Sequence, residues 1–129
     1  MHRSQLGGLI IDCQDGDLAA AADFWQQALG YEAKPLTESE DDLYRGLDTG
    51  PNGIHIEVQR VDHPSRVHLD IETDDVDTEV ERLEALGAKR LERVKGWVVM
   101  EAPTGHRFCV VKVQRDNFAE TATEWRTKR

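Results

Sequence analysis

The chain has 129 residues, of which 39% are hydrophobic and 32% charged, and its formal net charge at pH 7 is −9. This length suits one domain with one core, and the acidic balance excludes nucleic-acid binding through a basic surface. The sequence has no apolar run of about 20 residues, which excludes a membrane-spanning helix. Because the N-terminus carries no export signal, we expect a cytoplasmic protein in which Cys13 and Cys109 stay reduced.

The first half of the chain begins with an apolar stretch of strand length, residues 6–13, and continues into a helix. Asp17 is placed to cap the start of this helix, apolar residues recur at the spacing of one buried face, and Gly30 is placed to end it. The acidic segment at residues 38–42 is expected to be a solvated loop. Short strands are predicted at residues 31–34, 43–47 and 54–61.

The same order of elements returns in the second half. Residues 67–73 form a second apolar strand, Asp74 and Asp75 are placed to cap a second helix, and Gly87 is placed to end it. Three further strands are predicted at residues 89–94, 97–102 and 106–114. Both halves therefore follow the order of one strand, one helix and three strands.

Two sequence echoes support a duplication. Ala-Leu-Gly ends both helices, at residues 28–30 and 85–87, and a Pro-x-Gly turn precedes both final strands, at residues 51–53 and 103–105. Each half can bury one face of its sheet only against another layer of structure, and the other half can supply that layer. Pairing the two halves would therefore complete one core and leave a concave cleft between them.

The sequence thus predicts an α+β fold of two paired βαβββ modules, which form a curved mixed sheet around a central cleft. The modules are expected at about residues 6–61 and 66–114, followed by a short C-terminal helix at about residues 116–126. A ferredoxin-like α+β sandwich without a cleft is the alternative fold.

Three motifs carry a family resemblance: LIIDC at residues 9–13, VHLDI at residues 67–71 and FCVV at residues 108–111. With them, residues 6–114 resemble the vicinal oxygen chelate superfamily of glyoxalases, bleomycin-resistance proteins and extradiol dioxygenases, and in particular its glyoxalase-like domain branch. The resemblance implies one glyoxalase-like domain over residues 1–129, which binds a small molecule between its modules and forms a homodimer.

In metal-using members, the resemblance implies four inward ligands, one each on the first, fourth, fifth and eighth strands. These positions fall on Gly8, Glu57, His68 and Cys109. Gly8 has no side-chain donor and Cys109 replaces a carboxylate, so we expect no resident cofactor. The alternative is a divalent ion such as Zn²⁺ held by Glu57, His68 and Cys109. Cys109 also has a plainer role as a small buried hydrophobe.

The same resemblance, with strand alternation, indicates which other side chains line the cleft. His68 brings Asp70 inward, Arg107 shares the parity of Cys109 and could clamp an anion, and Trp97 could form an aromatic wall. The remaining cleft candidates are Asp12, His55, Glu57 and Gln59. Crowded carboxylates raise one another's pKa, so one of these groups could act as a general base. The alternative is that Asp12 and Asp70 accept backbone hydrogen bonds and that His68 and Trp97 are core residues.

Three functions from different classes follow. The first is small-molecule binding without a full metal site. The second is a metal-dependent lyase or isomerase, or a dioxygenase-type enzyme, in which Glu57 and His68 are catalytic. The third is a non-catalytic interaction module that uses the C-terminal helix.

Overall fold

The computed structural model describes residues 1–14, 16–35 and 43–126. The chain is α+β, and it divides into two compact units. We call Gly8–Val67 the first unit, and Met1–Gly7 together with His68–Arg129 the second unit. None of the described helices combines the length and the apolar character needed to cross a membrane.

The secondary structure follows the predicted order, with bounds that differ from the expected ones by a few residues in most elements. In chain order the elements are β1 (His2–Gln14), α1 (Leu18–Leu29), β2 (Tyr44–Leu47), β3 (His55–Val61), β4 (Arg66–Thr73), α2 (Val76–Ala85), β5 (Lys89–Val94), β6 (Trp97–Glu101), β7 (Arg107–Lys112), α3 (Phe118–Thr121) and β8 (Thr123–Trp125). Strand β1 begins in the second unit and continues into the first, and β4 begins in the first unit and continues into the second.

Both long helices begin and end at the residues that the sequence predicts. The Asp17 carboxylate accepts hydrogen bonds from the backbone N–H groups of Ala19 and Ala20, and Gly30 ends α1 in the left-handed conformation at φ 77°. The Asp75 carboxylate caps α2 in the same way, and Gly87 follows that helix at φ 106°. Residues that carry a side chain rarely adopt such positive φ values, so glycine is suited to the C-terminal end of both helices.

In the first unit, β3 lies parallel to β1 and antiparallel to β2, and α1 packs on β2 and β3. Its core consists of Leu47, Ile56 and Val58, against which Trp25 of α1 packs. In the second unit, β4 lies parallel to β7, while β6 runs antiparallel to both β7 and β5. Helix α2 covers this sheet, and the core it closes is made of Val80, Leu83, Val98, Met100, Phe108 and Val110.

The two units have matching connectivity, which confirms the predicted duplication of elements. In each unit the first strand lies parallel to the last, and the last pairs with an antiparallel neighbour. One expected strand is much reduced, because the segment at residues 31–34 makes only a single bridge, between Ala33 and Leu47. The acidic segment at residues 38–42 lies outside the described residues.

The C-terminal segment differs from the predicted helix at 116–126. The helix α3 spans four residues, after which Ala122 is extended and β8 pairs antiparallel with the start of β1. Trp125 lies opposite His2 in this pairing, and its indole N–H donates a 2.8 Å hydrogen bond to the Ser4 hydroxyl. The tail therefore ends as a strand that pairs with β1, where the sequence predicted further helix turns.

A buried carboxylate, Glu72, joins three parts of the second unit. It accepts hydrogen bonds from the backbone N–H groups of Gln114 and Arg115 at 2.8 and 3.1 Å, from the Arg115 side chain at 3.0 Å and from Gln5 at 2.6 Å. Burial by itself raises the pKa of Glu72, but the hydrogen bonds that it accepts outweigh this effect and hold its pKa below the ordinary value of 4.5.

A second buried carboxylate, Glu79 of α2, is held in a similar way. Arg82 donates two hydrogen bonds of 2.8 Å to it, and the ring of His2 donates one of 2.7 Å. The Arg82 guanidinium also lies 3.8 Å from the centre of the Trp125 ring. Burial by itself raises the pKa of Glu79, yet these bonds hold it below 4.5.

Candidate functional site

One face of the first unit carries four of the predicted cleft residues. The parallel register pairs Gly8 with His55 and Asp12 with Gln59, so these positions and Glu57 share a face, as alternation predicts. His55 Nε2 lies 3.6 Å from Glu57 Oε2, and Arg66 Nε lies 3.8 Å from Asp12 Oδ2. The opposite face packs against α1.

The equivalent face of the second unit carries the other five predicted cleft residues. Asp70 is paired with Cys109 and Cys109 with Val99, so alternation places His68, Arg107 and Trp97 on the same face as this pair. Val98, Met100, Phe108 and Val110 alternate with them and face α2. Cys109 therefore does not belong to the apolar core under α2 but lies half-buried beside a carboxylate.

Three donors of this face come together. One ligand atom each of His68, Asp70 and Cys109 lies within 4.8 Å of the other two, and among the residues that the structure describes this is the only such group of three. His68 Nε2 is 3.7 Å from Asp70 Oδ1, and the two side chains are 14% and 9% exposed. Imidazole, carboxylate and thiolate are all ligands that Zn²⁺ accepts, so the residues present fit a divalent ion.

This donor group differs from the one that the resemblance implies. It contains Asp70, for which the sequence predicted a substrate-binding role, and the signal available in the sequence was its position two residues after His68 on one strand. Glu57 belongs to the first unit, so its part in a metal site stays a prediction.

Packing explains why the first-strand ligand position holds glycine. A Cβ added to Gly8 would collide with the backbone oxygen of His55 and would lie 3.0 Å from the His55 Cβ. The strands β1 and β3 pair at this point, so the backbone has to move before any side chain fits. The missing donor is therefore a feature of strand packing in the first unit.

Replacing Gly8 by Ala is expected to destabilise the chain by about 1 to 3 kcal/mol, because overpacking shifts the paired strands. Urea unfolding followed by circular dichroism measures this change. Gly16→Ala is the matched control, since its added Cβ would meet only the Gln14 oxygen at an ordinary 3.6 Å. Equal stability of the Gly8→Ala variant and the wild type would contradict the packing explanation.

The other thiol, Cys13, has different surroundings. Its side chain packs against the core of the first unit under α1. Burial, and then the nearby charge of Asp12, raise the pKa of the Cys13 thiol above its ordinary value. Cys13 is therefore a suitable internal control for the chemistry of Cys109.

Comparison with known families decides the relationship that the geometry suggests. The model of the glyoxalase-like domain family matches residues 8–111. The chain belongs to the glyoxalase-like domain family. Through this family it is a member of the vicinal oxygen chelate superfamily, as the sequence motifs predicted. A search of curated protein sequences found no match.

Solved structures share the fold of this glyoxalase-like domain. The Mn(II)-bound glyoxalase from Novosphingobium aromaticivorans is 19% identical with a TM-score of 0.61, over 90% of this chain and 43% of that one. The NAD-dependent benzaldehyde dehydrogenase from Legionella pneumophila is 9% identical with a TM-score of 0.59, over 82% and 99%. A variant methylmalonyl-CoA epimerase from Streptomyces coelicolor, in complex with 2-nitronate-propionyl-CoA, is 18% identical with a TM-score of 0.55, over 84% and 94%. Three different activities are named here, so the shared fold does not determine the reaction.

Proposed function

We propose that this glyoxalase-like domain binds a small molecule against the polar face of its second unit. The observation that carries the proposal is the gathering of chemically different side chains on that one face, opposite the face that packs on α2. Binding sites combine an apolar wall with a few placed polar groups, and this face offers both. The side chains are those of His68, Asp70, Trp97, Arg107 and Cys109.

The side chains of this face suggest an anionic ligand. Arg107 is 44% exposed, and its Nε lies 3.6 Å from the Glu101 carboxylate. An exposed ion pair of this kind contributes little to stability, so a carboxylate or phosphate of the ligand can replace Glu101 at low cost. Trp97 supplies a partly buried aromatic surface on the adjacent strand. The CoA ester bound by the Streptomyces coelicolor epimerase is a ligand of this anionic class.

A thermal-shift screen of the full chain tests this proposal. The panel contains CoA thioesters, small carboxylic acids and antibiotics including bleomycin, each with and without EDTA. A true ligand at about 100 times its Kd is expected to stabilise the folded chain by about 2.7 kcal/mol, and the shift should persist in EDTA. A panel in which no compound raises the melting temperature would contradict the proposal.

Variants at Arg107 locate the bound ligand. Arg107→Gln is expected to weaken binding of an anionic ligand by about tenfold or more, the effect of losing one charged hydrogen-bond donor. Arg90→Gln is the matched control, because Arg90 is 45% exposed and also pairs with a glutamate, Glu84. Equal loss in both variants would show that general surface charge, and not this face, attracts the ligand.

The donor group of His68, Asp70 and Cys109 favours a second candidate, a metal-dependent lyase or isomerase that acts next to a carbonyl. A metal ion bound there would supply Lewis-acid polarisation of the carbonyl oxygen. Because His68 would be a metal ligand, a different group would have to accept the proton from the adjacent carbon; the assignment of this base to Glu57 stays a sequence prediction, and Arg107 would orient the substrate. Ligand stabilisation that is lost in EDTA and regained with Zn²⁺ would favour this candidate over the first. Deuterium exchange into a stabilising ligand would then measure the proton transfer directly.

A further inference from the structure

The donor group on β4 and β7 has a composition that selects between metals. We infer that His68, Asp70 and Cys109 form a three-ligand site for a thiophilic divalent ion, represented by Zn²⁺, and that the site discriminates against Mg²⁺ and Mn²⁺. The inference rests on the donor group of the second candidate function and deepens it by naming the preferred ion, and its test requires neither a small-molecule ligand nor a reaction.

The strand pairing fixes the positions of the three ligands. Asp70 and Cys109 are direct partners in the parallel pairing of β4 with β7, and His68 precedes Asp70 by two residues on the same face. All three residues belong to the second unit. Ligands on adjacent strands of one sheet are held more firmly than ligands on loops, which favours a defined coordination geometry.

The distances are close to those of a tetrahedral site. Bond lengths of about 2.0 to 2.3 Å to nitrogen, oxygen and sulfur place neighbouring ligands about 3.3 to 3.8 Å apart. The 3.7 Å between His68 Nε2 and Asp70 Oδ1 falls within this range, and all three ligand atoms lie within 4.8 Å of one another. Three protein ligands leave a fourth position open to water or substrate, as in catalytic zinc sites.

The thiol determines which ion is preferred. Soft thiolate ligands select Zn²⁺ and similar ions, whereas Mg²⁺ and Mn²⁺ are bound by carboxylates, carbonyls and water. Cys109 is half-buried, its sulfur lies within 4.8 Å of the His68 and Asp70 ligand atoms, and it is not part of the apolar core under α2. A site with one carboxylate, one imidazole and one thiolate therefore favours Zn²⁺ and Co²⁺.

Metal titration of the chelator-treated full chain tests the inference without any small molecule. Zn²⁺ is added in competition with a chromophoric chelator, and Co²⁺ is added separately as a spectroscopic probe. We expect one equivalent of each to bind, the Co²⁺ form to show a thiolate-to-metal charge-transfer band, and excess Mg²⁺ or Mn²⁺ to leave the Zn²⁺ titration unchanged. The charge-transfer band reports on the thiol in the wild-type chain, so this result depends on no variant.

Variants assign the ligands. Cys109→Ser should abolish the charge-transfer band, and Cys109→Ser, Asp70→Asn and His68→Asn should each weaken Zn²⁺ binding by about tenfold or more, at least the loss seen for supporting residues of metal sites. Cys13→Ser is the matched control, because it removes the other thiol, which lies outside the donor group. Circular dichroism of the metal-free variants checks that each one folds, and Cys109→Ala replaces Cys109→Ser if that variant does not.

The outcomes separate this inference from the proposed functions. Binding of less than one tenth of an equivalent, or equal loss of Zn²⁺ in the Cys13→Ser control, would overturn it. Binding of Co²⁺ without a charge-transfer band would also overturn it, but would leave a metal-dependent enzyme with other ligands in place. A failed ligand screen leaves the titration unaffected, and a failed titration leaves ligand binding by side chains unaffected.

Discussion

The Glu72→Gln variant is expected to lose about 3 to 5 kcal/mol of its free energy of unfolding at neutral pH, because removing one partner of a buried ion pair leaves the other charge without compensation. Glu72 is fully buried, and the Arg115 side chain that pairs with it is only 14% exposed. A glutamine can still accept the hydrogen bonds from the backbone of Gln114 and Arg115. Its amide group would, however, turn donors toward the guanidinium of Arg115 and the amide of Gln5.

Urea unfolding of the full chain, followed by circular dichroism, measures the loss in the Glu72→Gln variant. Glu84→Gln is the matched control, since it makes the same substitution in an exposed pair with Arg90 and is expected to cost at most about 1 kcal/mol. Similar stabilities for the Glu72→Gln and Glu84→Gln variants would show that the Glu72 network contributes no more than a surface pair.

The Glu79→Gln variant is expected to lose a comparable amount at neutral pH, about 3 to 5 kcal/mol, because Glu79 is fully buried and holds both Arg82 and His2. The loss should also depend on pH. The pKa of Glu79 lies below its ordinary value of 4.5 in the folded chain, so its stabilisation is complete above that pH and disappears as the pH falls through the folded-state value. The difference between wild type and variant should therefore shrink on acidification.

Urea unfolding between about pH 6 and about pH 3 follows this change through the range in which glutamates titrate. Glu81→Gln on the same helix is the control, because Glu81 is exposed and its replacement is expected to change the stability by no more than about 0.5 kcal/mol at any pH. A gap between wild type and the Glu79→Gln variant that stays constant or widens as the pH falls would contradict the assignment.

Local sequence signals predicted most of the helices and strands, because the interactions that start, end and orient these elements involve residues close in sequence. Asp17 and Gly30 bound α1 through capping interactions that involve only neighbouring residues. Alternation placed His68 with Asp70 and Glu57 with His55 on common faces, and the strand registers agree. The sequence did not predict which strands pair with one another, because no local pattern contains that pairing.

The features that the sequence did not predict depend on distant contacts. Phe118, Ala122 and Trp125 have helical spacing, but the chain extends after α3 because β8 pairs with residues more than a hundred positions earlier. Glu72 and Glu79 resemble ordinary surface glutamates in sequence, since Arg115 and Gln5 reach Glu72, and His2 reaches Glu79, from distant parts of the chain. Of the partners named for these two carboxylates, only Arg82, on the same helix as Glu79, is close in sequence. The homodimer, the cytoplasmic location and the role of Glu57 stay predictions.

The route of β1 has a practical consequence for anyone who wishes to separate the two units. Residues 2–7 supply His2, Ser4 and Gln5 to the second unit, whereas the remainder of the strand pairs with β3. A gene divided after Val67 would give a C-terminal fragment that lacks its own opening segment. A circularly permuted gene, in which that segment is fused behind Arg129, would be the way to express it as a contiguous polypeptide.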